Sequence, residues 1–315
     1  PDEHEKMSDI IRDAMDAGAV GFATSFAQTH LGADGNPIPS RYADRAELEA
    51  LFQAVADTGK GVIGVNGGDN LSLRDNYTLQ KQIGVPFTYT AVLTNPRGGH
   101  LKALEINRQG WEDGAEVWPQ VSCRPLTFAM TMVEPFTLNT NTVIAELMPL
   151  GLDARRAAYA DPAWRARARE AWEGEKTFSP RWSTMVVGES AANVDLIGQK
   201  VSDIGEERGI DAFDALLDLA LDESDLMLRI KVIVANDDEE GVTTLLQDEH
   251  TTLGLSDAGA HVGQLCDAPQ ATDLLGNWVR DRGTLPIETA IRKRAAKLDR
   301  FYGDIMRCRV TIEAP

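Results

Sequence analysis

Basic charge is scarce in this chain. Its 315 residues carry 31 Lys+Arg against 49 Asp+Glu, a formal net charge of −18. A surface of that sign argues against non-specific nucleic-acid binding, because phosphates need clustered Lys and Arg, and it offers no attraction to anionic lipid. Long apolar runs are absent too. No stretch reaches the roughly 18 to 20 residues of a membrane span, so neither nucleic acid nor membrane is an expected partner. The opening Pro1-Asp2-Glu3-His4-Glu5-Lys6 is acidic and lacks the apolar core of a secretory signal. Cysteine is rare: Cys123, Cys266 and Cys308 are too few and too dispersed for a disulfide framework, and a reducing cytoplasm is the expected compartment. The histidines (His4, His30, His100, His250, His261) form no His-x-His pair and no helical His-x-x-x-His. Their spacing alone displays no complete zinc site. Core-forming material is plentiful. With 43% hydrophobic and 25% charged residues the chain is not a disordered one, and its length allows one large α/β domain or two ordinary ones.

The pattern along the chain is an alternation. Residues 4–17 place Met7, Ile10, Ile11, Ala14 and Met15 at helical spacing, and Gly18 follows as a C-terminal cap. A short apolar strand covers 19–25, a polar Gly/Pro loop 28–41, and a helix 44–58. Strand 61–65, a short helix, strand 85–93, helix 99–112 and strand 115–121 continue the series. Near-continuously apolar strands joined by helices are expected of a parallel sheet covered on both faces. Periodicity alone leaves an open doubly wound sheet and a (β/α)8 barrel both possible. Residues 122–181, with Pro125, Pro135, Pro149 and Pro162, break the rhythm and read as an insertion, either a lid or a structural excursion. The alternation then resumes with helix 193–222 and strands 226–235 and 252–256 separated by helix 237–247. Helices at 267–281 and 286–300 follow, and a further strand is expected to begin at 310–312. The spaced glycines from Gly59 to Gly64 are rejected as a dinucleotide loop, since they follow a helix and enter a strand.

Chemistry is expected at the C-terminal ends of parallel strands. Five such ends are Thr24-Ser25, Asn66-Gly67-Gly68-Asp69, Thr90 to Asn95, Gln120 to Arg124, and Ser256-Asp257-Ala258-Gly259-Ala260-His261. In the last, Asp257 can ligate a metal or act as a general base, or simply cap a helix. His261 can serve a pocket or bond to a carbonyl. After Ser122, Arg124 can hold a substrate carboxylate bidentately or brace the insertion. Cys123 reads as a buried small hydrophobe.

Taken together, the segments DAMDAGAVGFATSFAQTH (13–30), LGLSDAGAHVGQLCDAPQATDLLGNWVR (253–280) and LPIETAIRK (285–293) resemble the N-acyl-D-amino-acid deacylases, the D-aminoacylase branch of the amidohydrolase superfamily. VWPQVSCRPLTF (117–128) resembles a subgroup of that branch. The resemblance runs through nearly all of the chain and implies a partial (β/α)8 TIM barrel of the metal-dependent hydrolase type with its N-terminal strands missing. It divides the chain into barrel units at 1–121 (about strands 4–7), the insertion or lid at 122–181, final barrel units with strand 8 at 182–303, and the start of a C-terminal β subdomain at 304–315.

The implied activity is hydrolysis of a C–N bond other than a peptide bond, in an N-acyl amino acid or related amide, by a metal-bound hydroxide. The cofactor would be a divalent metal, zinc first. Asp257 would be catalytic and a metal contact, and Arg124, His261, Ser122 and Asn66 would bind substrate. Two departures accompany this. The family's first-strand His-x-His is not in the chain, which reads as an internal fragment, expected to be inactive alone. Asn66 and Ala91 stand where metal-binding histidines of the fifth and sixth strands are expected. A metal-degenerate, non-catalytic barrel that binds a ligand or a partner chain and a cyclic-amide hydrolase are the competing functions.

Overall fold

The computed structural model describes residues 2–32, 36–68, 70–174, 180–259, 263–265 and 267–293. Helix α1 (Asp2–Asp16) leads into β1 (Gly21–Ser25), α2 (Arg45–Ala56), β2 (Val62–Asn66), α3 (Leu73–Ile83), β3 (Phe87–Thr90), α4 (Gly99–Glu112) and β4 (Val117–Val121). Then come β5 (Leu126–Thr131), α5 (Thr142–Ala145), α6 (Leu152–Ala160), α7 (Pro162–Gly174), β6 (Met185–Glu189), α8 (Val201–Arg208), α9 (Ala212–Asp222) and β7 (Arg229–Ala235). The series closes with α10 (Glu239–Gln247), β8 (Thr252–Leu253), a helical stretch from Gln270 to Asp281, and a short helix, Ile287–Ile291.

The chain divides into two compact units. The first, residues 1–124, 236–256 and 269–315, holds a five-stranded sheet in the order β1-β2-β3-β4-β8. Every pairing in it is parallel. Its helices form for local reasons. Asp44 caps α2 by accepting from the Glu47 N–H at 2.9 Å, and α2 buries Leu48, Phe52 and Val55 in the core with the sheet residues. Ser72 and Asp75 form a reciprocal capping box at the start of α3, and Gly84 ends that helix at φ +88°, a conformation that favours glycine. The edge-to-face pair of Phe52 and Phe87, 5.4 Å between centroids, sits in this core.

The second unit, residues 125–235 and 257–268, has its own core around a three-stranded sheet ordered β5-β7-β6, antiparallel throughout. Its aromatic centre is Trp164, Trp172, Trp182 and Phe213.

Most elements lie where the apolar spacing places them. The insertion does not end at 181, however. The strand read at 226–235 is the centre of the antiparallel sheet, and the helix read across 193–222 is two helices separated by Gly209 at φ +67°. Periodicity reports burial on each face but not strand direction, so in sequence this excursion is indistinguishable from resumed β/α units. The strand read at 310–312 and the end of the last helix lie outside the described residues.

Candidate functional site

Parallel register lines up the C-terminal strand ends in the first unit. Ser25 pairs with Asn66, and Asn66 with Thr90. Beyond the strands the ladder continues: Phe26 N–H donates to the Asn66 carbonyl at 2.8 Å, and Val92 N–H to that of Gln120 at 2.9 Å. The resulting row of Ser25, Asn66, Thr90 and Gln120 is polar and uncharged.

Two buried amides tie together the segments just past the strand ends. Asn236, 1% exposed and at φ +66°, takes a left-handed backbone that Asn tolerates. Its side chain accepts from the Thr94 N–H (3.2 Å) and donates to the Ser122 and Arg124 carbonyls (2.8 Å each). Gln270, also buried, donates to the Ser122 hydroxyl and to the Gly254 carbonyl, joining β4 to β8. A Cβ at Gly254 would stand 2.3 Å from Gln120 Oε1, so a larger residue there requires the Gln120 side chain to move. Neither Asn236 nor Gln270 stood out in the sequence. Their partners lie 16 to 148 residues away, and only the asparagine directly after a strand hinted at a left-handed turn.

A loop after β1 adds titratable groups to this end of the sheet. The Ser25 hydroxyl and His30 Nδ1 are 2.6 Å apart. Ser25 Oγ also accepts from the Ala27 N–H at 3.3 Å. Ser40 Oγ donates to the Ser25 carbonyl at 2.7 Å, and Arg41 donates to the Gln28 carbonyl at 3.1 Å.

The residues singled out in the sequence fall as follows. Ser122 is 3% exposed and engaged inside the scaffold. Arg124 places Nη1 3.1 Å from Asp273 Oδ1, an ion pair that braces the β4 end. Cys123 is buried and donates its thiol to the Gln270 carbonyl at 3.3 Å. Asn66 sits in the strand-end row. Asp257 is partly buried in the second unit, four residues past β8, at φ +45°, with Leu255 at +64°. His261 and Asp69 lie outside the described residues. At the opposite end of the sheet, where β4 and β8 begin, Trp111, Trp118, His250, Arg292 and Lys293 help line a cavity of about 590 Å³. The Trp111 and His250 rings stack there at 4.2 Å.

As a metal centre the described strand ends are poorly equipped. No group of three His, Cys, Asp or Glu is placed to share an ion among the described residues. Asn66 presents an amide oxygen and Ala91 no donor, where imidazole is the preferred zinc ligand.

No family model matches the chain. Uncharacterized proteins of Mycobacterium bovis and Mycobacterium tuberculosis are 31% identical over 113 residues, 34% of this chain and 18% of theirs. Solved structures match over much more. The N-acyl-D-glutamate deacylase of Bordetella bronchiseptica, crystallised with zinc and a phosphonate mimic of the tetrahedral intermediate, aligns with a TM-score of 0.56 at 18% identity, over 96% of this chain and 53% of that one. A D-aminoacylase described as defining a novel subset of amidohydrolases aligns at 0.54 and 16% identity, over 96% and 52%. The chain spans about half the length of these proteins, and at such identities what they share with it is the mixed α/β fold with its parallel sheet, the fold of the D-aminoacylase type of amidohydrolase.

Proposed function

We propose that the chain belongs to a hydrolase that cleaves a linear C–N amide bond in an N-acylated amino acid or related small amide, on five consecutive strands of a (β/α)8 barrel. The observation that carries this reading is the strand order. An all-parallel β1-β2-β3-β4-β8 row interrupted by a separate antiparallel unit is the order successive barrel strands take, and two deacylases share the fold. Barrel enzymes work at C-terminal strand ends, where this chain carries its uncharged polar row.

Asp257 is the group assigned to proton transfer. It and Leu255 both hold left-handed backbone just past β8, which costs about 1–3 kcal/mol at each non-glycine position and is concentrated at functional sites. A carboxylate there takes the proton of a water that attacks the amide carbon, then returns it to the nitrogen as the C–N bond breaks. The products are a carboxylic acid and an amine. Asn66, Ser122, Arg124 and His261 are the remaining pocket candidates, with Arg124 acting through its brace to Asp273.

The implied cofactor is a divalent metal, zinc in the Bordetella deacylase. Asn66, which offers only an amide oxygen, and Ala91, which offers no donor, do not fit it. That mismatch favours a second reading, a barrel that binds an acyl-amino-acid-like ligand without turnover.

The experiment is a panel of N-acyl-D-amino acids and hydantoins offered to the complete protein, with metal content measured alongside. Release of free amine from the linear substrates is expected. Binding without release supports the second reading, and ring opening of hydantoins would move the assignment to cyclic amides.

A further inference from the structure

We infer that Arg41, on the loop after β1, binds the carboxylate of the substrate. The inference rests on the amide-hydrolase reading and deepens it by assigning the group that recognises the anionic end of an N-acyl amino acid.

In a chain where acids outnumber bases by 18, arginines find carboxylates easily. In the same unit Arg12, Arg45, Arg108, Arg124 and Arg282 all have one within 3.5 Å, while Arg74 and Arg292, which form no ion pair among the described residues, are exposed. Arg41 is partly buried, yet the only partner its guanidinium has among the described residues is the Gln28 carbonyl, reached by Nη1 alone. That leaves most of a planar five-donor fork without a charged acceptor.

The loop is held firmly enough to present this fork. Ser40, the preceding residue, donates to the Ser25 carbonyl at 2.7 Å, and Asn70, just beyond β2, donates from Nδ2 to the Arg41 carbonyl at 3.3 Å. Arg41 is therefore tied to the ends of two strands whose terminal residues, Ser25 and Asn66, open the polar row. Tyr42, the next residue, is 70% exposed and Leu31 50%, so the same loop exposes apolar side chains as well as the cation, the two chemistries that a ligand with one anionic and one apolar part requires. Arg124, the arginine favoured from sequence for this role, already has a carboxylate in Asp273.

The test compares Arg41→Gln and Arg41→Lys with the parent, in the complete protein, on N-acetyl-D-leucine and on its carboxamide, which lacks the anion. Calorimetric binding of both compounds is measured in parallel. A charge-assisted bidentate contact corresponds to about 10- to 100-fold in affinity. Arg41→Gln is expected to raise KM for the carboxylate by that factor, to leave kcat within about threefold, and to abolish the preference for carboxylate over carboxamide, with Arg41→Lys recovering part of it. A merely structural arginine would weaken both compounds alike. Turnover with the preference intact in Arg41→Gln overturns the inference and leaves the hydrolase reading standing. Arg41-dependent binding of the carboxylate without turnover does the reverse. Failure of the parent to bind or turn over either compound overturns both.

Discussion

Lys293 is 3% exposed, and its ammonium donates to the Asp248 carbonyl, the Thr251 carbonyl and the Thr251 hydroxyl. Burial is the main cause of its pKa being pushed down to about 8, with Asp248 opposing the shift. The unfolded chain therefore holds this proton up to about pH 10.5, while the folded chain releases it near 8. Stability is lowered by the buried charge below pH 8 and rises as the pH climbs from 8 toward 10.5. Tyr77 has the opposite sign. Burial raises its pKa to about 12, so its stability contribution is complete below pH 10 and is lost as the pH rises through 12. Chemical denaturation should show midpoints rising between pH 8 and 10 in the parent, with the rise absent in Lys293→Met. A parent midpoint that falls across that window would contradict the assignment. Residues of this kind were only partly legible in the sequence. Arg124 and Ser122 were identified as special from their place after a strand, but whether a side chain meets a ligand or a brace depends on partners such as Asp273 and Gln270, 148 or 149 residues away. The β1 loop read as a polar connector because nothing in its spacing signals that Arg41 lacks a carboxylate.

At the scale of elements, helices were the most legible part. The helices α1, α2 and α4, the glycine after α1 (Gly18, φ +107°) and the alternation of β1 to β4 all follow from spacing and capping chemistry, with ends shifted by a few residues. The α3 start offers a clean check of that local logic. Ser72 and Asp75 satisfy two backbone N–H groups that the helix itself leaves open. Ser72→Ala should cost about 1 kcal/mol in urea unfolding, with the slope of the transition unchanged. A loss under about 0.2 kcal/mol would mean the box is not formed in solution. Strand direction was not legible. Both sheets use short apolar strands flanked by helices, and only pairing separates the parallel row from β5-β7-β6.

At the scale of the molecule, two units with separate cores share one chain, and the segment from Asp257 to Ala268 groups with the second although it follows β8 of the first. The mixed α/β fold with its parallel sheet was legible because motifs such as Ser256-Asp257-Ala258-Gly259 and the β1 region carry a resemblance, and the N-acyl-D-glutamate deacylase and D-aminoacylase structures share that fold over 96% of the chain. The chemistry was less so, because Asn66 and Ala91 replace the donors the resemblance implies. What the functional account most needs is a working carboxylate at position 257. Asparagine keeps the volume and tolerates the φ of +45°, so Asp257→Asn removes the base and little else. The measurement is steady-state release of free amino acid from N-acyl-D-amino acids by the complete protein and by this variant, with thermal melting as a folding control. A drop of about 100-fold or more at unchanged melting temperature is predicted. Turnover within tenfold of the parent would contradict the account.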